Sequence, residues 1–316
     1  MSFNIEMREL TPRNELNPIL ELLKQYGRSI KQFDTNSTFT DNLARSLYDS
    51  TSIEGSQLTT LILNPKSLTS VGLELMGKII GLSQNLESLQ FFIDRLEIEN
   101  EQQRVQRGLD RHWESWNGLA LRRDGSDRPL SQLLLDFPSR RQLPQLHTLR
   151  LSCSVKQPVP QACANWVVAM ISVPISLSMP LSSLGSSPQH TRNTYSHTNP
   201  QSWKPLKCID LEGFQFEPKD WRAIIESMDF SELETLSLAD SNFSVEQFGI
   251  LVECVFSCSA SEVPLMCVKM GSTAVFYESD VVKVLSLFTR LQEKVPLVHI
   301  DGLWQLFSQD ENSHGV

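Results

Sequence analysis

Apolar residues return along this chain at a long, nearly fixed interval. Three stretches share a Leu-x-x-Leu-x-Leu spacing: Leu58, Leu61 and Leu63; Leu146, Leu149 and Leu151; and Leu233, Leu236 and Leu238. Near-copies stand at Leu86/Leu89/Phe91, Leu206/Ile209/Leu211 and Leu265/Val268/Met270. Looser ones stand at Ile30/Phe33/Thr35, Trp116/Leu119/Leu121 and Val295/Val298/Ile300. Successive starts are separated by 28, 28, 30, 30, 60, 27, 32 and 30 residues, the gap of 60 being two periods. Self-similarity at such a period marks a stack of supersecondary units, each burying its apolar face against its neighbours.

The interior of one unit is legible as well. Positions 3 to 6 of the signature alternate polar or small with apolar residues, the period of a half-buried strand. Between signatures the spacing becomes helical. Trp221, Ile224, Ile225 and Met228 follow Pro218, a residue accepted in a first helical turn. Val245, Phe248, Leu251, Val252 and Val255 follow Ser244, with Gln247 placed to complete a capping box. Ser279 is an expected cap for Val281, Val282, Leu285 and Phe288, and Thr69 or Ser70 for Leu73, Met76 and Ile80. Each unit therefore reads as one strand and one helix in roughly 29 residues.

On these motifs the chain resembles the longer, helix-containing class of leucine-rich repeat proteins typified by ribonuclease inhibitor. The resemblance implies an α/β solenoid, a horseshoe with a parallel β-sheet on its concave face and helices on its convex face. The Asn or Cys that follows the strand in that family has one counterpart here, Asn242, shifted by one position. The run Trp203 to Leu211, with Trp221 and Met228-Asp229-Phe230-Ser231, resembles divergent fungal leucine-rich repeat proteins often grouped with F-box proteins. That second likeness implies an alternative role, the substrate-recognition component of an F-box (SCF-type) ubiquitin ligase held by the Skp1 adaptor. The Leu-Pro-x-Glu opening of an F-box is not found in this sequence.

Residues 1–29 are expected to form a helical N-terminal cap, with Leu16, Ile19, Leu20, Leu22 and Leu23 at helical spacing. Residues 30–308 are expected to hold about ten irregular units, with strands starting near 30, 58, 86, 116, 146, 172–175, 206, 233, 265 and 295. Within them, 172–202 carries nine serines, four prolines and no acid, and reads as a Ser/Pro-rich insert. Arg122 to Arg141 reads as a long loop, and 309–316 as a disordered tail.

Composition narrows the remaining options. Of 316 residues 40% are hydrophobic, and 37 acidic against 28 basic side chains give a formal charge of −9. Phe137 to Ile209 holds no acid but carries Arg140, Arg141, Arg150, Lys156, Arg192, Lys204 and Lys207, a basic stretch able to steer an acidic partner. It is too dilute to indicate nucleic acid. Trp166–Met179, the most apolar stretch, is shorter than a membrane span and is broken by Pro174. No signal-like stretch opens the chain, so a cytoplasmic or nuclear protein with six free thiols is expected.

No GxSxG, GxxxxGK[ST] or GxGxxG is present. Cys254 and Cys258 could share a helix face, but no ligand set completes a metal site around them. The expectation is a non-enzymatic, monomeric recognition scaffold with no cofactor, no metal and a protein as partner. Strand positions 3 and 5 would point away from the helices and form the binding face. Asp34, Gln90, Thr148, Arg150, Asp210, Ser237, Lys269 and His299 are the candidates, within a set that also includes Gly118 and Ala120.

Overall fold

A computed structural model describes residues 3–7, 16–35, 40–52, 57–63, 70–92, 137–153, 159, 161–172, 203–258, 264–270 and 280–300. The strands are β1 (Phe3–Met7), β2 (Ile30–Thr35), β3 (Thr60–Leu63), β4 (Ser88–Phe92), β5 (Thr148–Ser152), β6 (Cys208–Glu212), β7 (Thr235–Leu238), β8 (Cys267–Met270) and β9 (Leu297–Ile300). The helices are α1 (Leu16–Tyr26), α2 (Asp41–Thr51), α3 (Ser70–Leu82), α4 (Gln161–Ile171), α5 (Pro218–Glu226), α6 (Val245–Ser257) and α7 (Val281–Gln292). Together the strands make one α/β sheet of nine, all parallel and standing in chain order.

The signature explains this sheet directly. Its first, fourth and sixth positions are buried in unit after unit, as at Leu58, Leu61 and Leu63, Leu206, Ile209 and Leu211, or Leu233, Leu236 and Leu238. These side chains join the apolar stripes of the helices in one continuous core. Burial alternates along β3, β4, β5, β8 and β9, so one face of each of these strands is buried, while on β7 Ser237 of the opposite face is buried too. Helix neighbours follow chain order too, α1 beside α2 beside α3, and α4 through α7 likewise.

Local chemistry sets the helix ends. Ser244 and Gln247 form the expected capping box on α6, and Pro218 opens α5 in its first turn. Thr40 caps α2 by accepting the Leu43 amide, a cap the sequence reading did not single out. The residue capping α7 is Asp280, with no side-chain cap bond, while Ser279 lies outside the described residues.

Neighbouring units are also tied by buried polar contacts. Asn242 donates from its amide to the Phe216 carbonyl at 2.9 Å and accepts the Trp221 indole N–H at 2.8 Å, joining residues more than 20 positions apart. Phe214 and Phe216 stack, and Phe216 and Phe243 each meet the Trp221 ring edge-on. Where β6 ends, Gly213 has φ 77° and donates its amide to the Ala239 carbonyl at 2.7 Å. A Cβ there would lie 1.8 Å from the Cys153 carbonyl oxygen, so the turn needs glycine.

Three expectations are corrected. The first 29 residues are not helical throughout: besides α1 they hold β1, which pairs with β2 and extends the sheet. Phe3, Ile5 and Met7 alternate with Asn4 and Glu6, a period of two that marks a strand. Second, β4 pairs directly with β5 and β5 directly with β6, so the ladder has no place for the strands expected near 116 and 172–175. The stretch near 116, with Gly118 and Ala120, and residues 173–175 lie outside the described residues.

Third, the end of the stretch read as a loop is core. Phe137 is buried against Trp166 and Phe91, with ring centroids 5.5 and 6.4 Å away. The Trp166 indole donates to the Pro138 carbonyl at 3.1 Å. Gly77 on α3 makes room, since a Cβ there would meet the Phe137 ring at 2.8 Å. Residues 137 and 138 thus pack against α3 and α4. A side chain of this size contributes about 1.5–3 kcal/mol on burial, enough to hold a segment with little helical propensity of its own.

Candidate functional site

The pleat sends alternate side chains of every strand to the face opposite the helices. Because the strands are in register, these side chains form rows across the sheet. One row runs Gln32, Thr60, Ser88, Thr148, Cys208, Thr235, Cys267 and Leu297, and it carries no charge. The next, two residues further along each strand, runs Asp34, Ile62, Gln90, Arg150, Asp210, Ser237, Lys269 and His299. The fold therefore separates a neutral track from a charged one.

All eight candidate residues lie on this face. Seven of them, Asp34, Gln90, Arg150, Asp210, Ser237, Lys269 and His299, share the charged row, and Thr148 stands in the neutral row with its hydroxyl 3.1 Å from His147 Nδ1. Arg150, Lys269 and His299 are exposed, Asp34, Gln90, Thr148 and Asp210 are half-buried, and Ser237 is buried. Adjacent parallel strands are about 4.8 Å apart, so Arg150 and Lys269, three strands apart, are separated by about 14 Å.

Asp210 sits between them and is electrostatically the least ordinary member. Burial pushes its carboxyl above the usual carboxylate value. The Ser237 hydroxyl, the Arg150 guanidinium, the Glu212 amide and the Lys269 ammonium oppose that shift without cancelling it. Its Oδ1 is shielded from solvent and has no hydrogen-bond partner among the described residues. A donor brought to this carboxylate would relieve an unfavourable local state.

Within the basic stretch predicted from 137–209, one cation is buried and two stand exposed beside acids of other units. Arg140 is buried, and its guanidinium donates to the carbonyls of Leu143 and Lys204; desolvation lowers its pKa to about 10. Lys207 pairs with Glu234 at 2.6 Å, and Lys204 approaches Glu87 at 3.7 Å, with His147 3.9 Å from the same carboxylate. Lys156 and Arg192 lie outside the described residues. Arg150 is the member of the stretch that stands exposed on the charged row. A count of charges could not anticipate this, because the compensating acids Glu87 and Glu234 come from other units.

Among the described residues no group of three or more His, Cys, Asp or Glu side chains could hold a metal ion. No helix there is long and apolar enough to cross a membrane. Cys153 and Cys163 are buried, and burial raises the Cys163 thiol well above its ordinary value; Cys254 is half-buried on α6 and Cys258 is half-buried just past its end. Such thiols behave as core filler. No family model matches this chain, and a search of curated proteins finds no match either.

Proposed function

We propose that this chain is a leucine-rich repeat recognition scaffold, non-enzymatic, that binds a protein partner along the open face of its sheet, the concave side of a horseshoe. One observation carries the reading. All-parallel sheets are ordinarily covered on both faces, yet along β3, β4 and β5 burial alternates, and the described side chains of the other face are mostly polar or charged. An extended, ordered polar surface of this kind offers many side chains to a partner at once.

The repeat class is supported by three features. The strand starts follow the Leu-x-x-Leu-x-Leu spacing. Among the described residues the strands stand in chain order, with β1 and β9 as the first and last of the sheet. Asn242, just after β7, bonds the backbone of the preceding unit.

The test is affinity purification of the tagged full-length chain from its native cells, in parallel with Arg150→Glu, Asp210→Lys and, on the helix side, Lys283→Glu. A partner retained by the parent and Lys283→Glu but lost with either face variant is expected. A partner held equally by all four proteins would overturn the reading. Recovery of the Skp1 adaptor with cullin would move the chain to the ubiquitin-ligase role.

A further inference from the structure

The order of charges on the open face reads as a specification for the partner. We propose, building on the recognition reading above, that the open face binds an extended segment of the partner protein whose every second side chain runs acid, base, acid. The first acid meets Arg150, the base meets Asp210, and the second acid meets Lys269.

Spacing carries the first half of the argument. Arg150, Asp210 and Lys269 lie on β5, β6 and β8, at roughly 0, 5 and 14 Å along the row. In an extended chain, side chains on one side recur about every 6.7 Å, giving about 0, 7 and 13 Å. The mismatch is about 2 Å at most, which the long side chains of Arg and Lys absorb. A segment crossing the strands at right angles can therefore address all three without bending. The neutral row alongside is small-sided where it crosses β5 to β8, leaving room for a backbone to lie flat.

Charge carries the second half. A nucleic-acid strand or a uniformly acidic peptide would bring its negative charge over Asp210, already half-buried beside a buried serine hydroxyl. A uniformly basic segment would meet Arg150 and Lys269 head on. Only an alternating segment gives each of the three an opposite charge, and its base also brings a donor to the half-buried Asp210 carboxylate.

The test uses the full-length chain and two fluorescein-labelled probes, Gly-Asp-Ser-Lys-Ser-Asp-Gly and its inverse Gly-Lys-Ser-Asp-Ser-Lys-Gly, read by fluorescence anisotropy at low salt. The expected result is binding of the first probe at least about fivefold tighter than the second. Arg150→Glu/Lys269→Glu, both exposed, is expected to weaken the first probe about tenfold or more. The triple variant Arg150→Glu/Asp210→Arg/Lys269→Glu should reverse the preference; if it fails to fold, the double variant decides the matter. Equal affinities, a preference for the inverse probe, or no binding of either up to millimolar concentration would overturn the proposal. The recognition reading has its own readout: a cellular partner lost with Arg150→Glu while neither probe binds would sink the charge pattern alone.

Discussion

Replacing Asn242 by alanine should be among the most damaging single changes outside the apolar core. Its side chain makes two bonds between units, donating to the Phe216 carbonyl at 2.9 Å and accepting from the Trp221 indole at 2.8 Å. Both partners belong to residues with almost no solvent exposure, Phe216 at 1% and Trp221 at 0%. Removing the amide strands one acceptor and one donor, each costing about 1–3 kcal/mol when left unmade. Asn242 itself is half-buried, so water reaches part of the gap and about 2–4 kcal/mol is the expected total. A domain of this size then melts about 3–8 °C lower.

The assay is urea denaturation followed by far-UV circular dichroism, with Asn165→Ala as control. The Asn165 side chain is exposed and meets only the Gln161 amide at 3.2 Å, so its loss should stay within about 0.5 kcal/mol. A double-mutant cycle with Trp221→Phe should return a coupling of about 1–3 kcal/mol. An Asn242→Ala protein as stable as the control, or a cycle that is additive, would refute the claim that this amide joins the units.

Other perturbations follow from the same geometry. Gly213→Ala should cost about 3 kcal/mol or more, because the positive φ and the Cys153 carbonyl 1.8 Å from the new Cβ act together; thermal melting would show it, and an unchanged melt would contradict the geometry. Arg140→Met should cost about 2–5 kcal/mol by orphaning the Leu143 and Lys204 carbonyls, whereas Lys207→Ala, in an exposed pair, should stay under about 1 kcal/mol; comparing the two urea midpoints checks the ranking. Asp210 holds its proton more tightly in the folded protein than in the unfolded chain, so folding stability falls as pH rises from the ordinary carboxylate value through the raised one. Asp210→Asn should remove that slope and be neutral or stabilising at pH 7, and a clear destabilisation there would show that the ionised form is structurally required.

Much of the fold was legible because its information is local and repeated. The alternation within each Leu-x-x-Leu-x-Leu stretch, the stripes after Pro218 and Ser244, and the capping box depend only on residues a few positions apart. The period then told which stretches are equivalent, and so which side chains share a face: the charged row could be written down before its register was seen. The seven candidates in that row fell together because strands of equal phase, stacked in parallel, must align them.

Tertiary structure alone decided what depends on distant partners. Sequence spacing offered ten strands in series, but the pairing of β4 with β5 and of β5 with β6 is direct, and which stretches are neighbours in a ladder is set by the fold and not by the spacing. The segment 137–142 carries no helical pattern, yet Gly77 and Trp166 build the cavity that makes Phe137 a core residue. Arg140 and Lys207 looked like neighbours in a basic belt; one is enclosed by carbonyls and the other is paired with a glutamate 27 residues away. Periodicity is a property of the chain, whereas burial and pairing are properties of what the chain folds against.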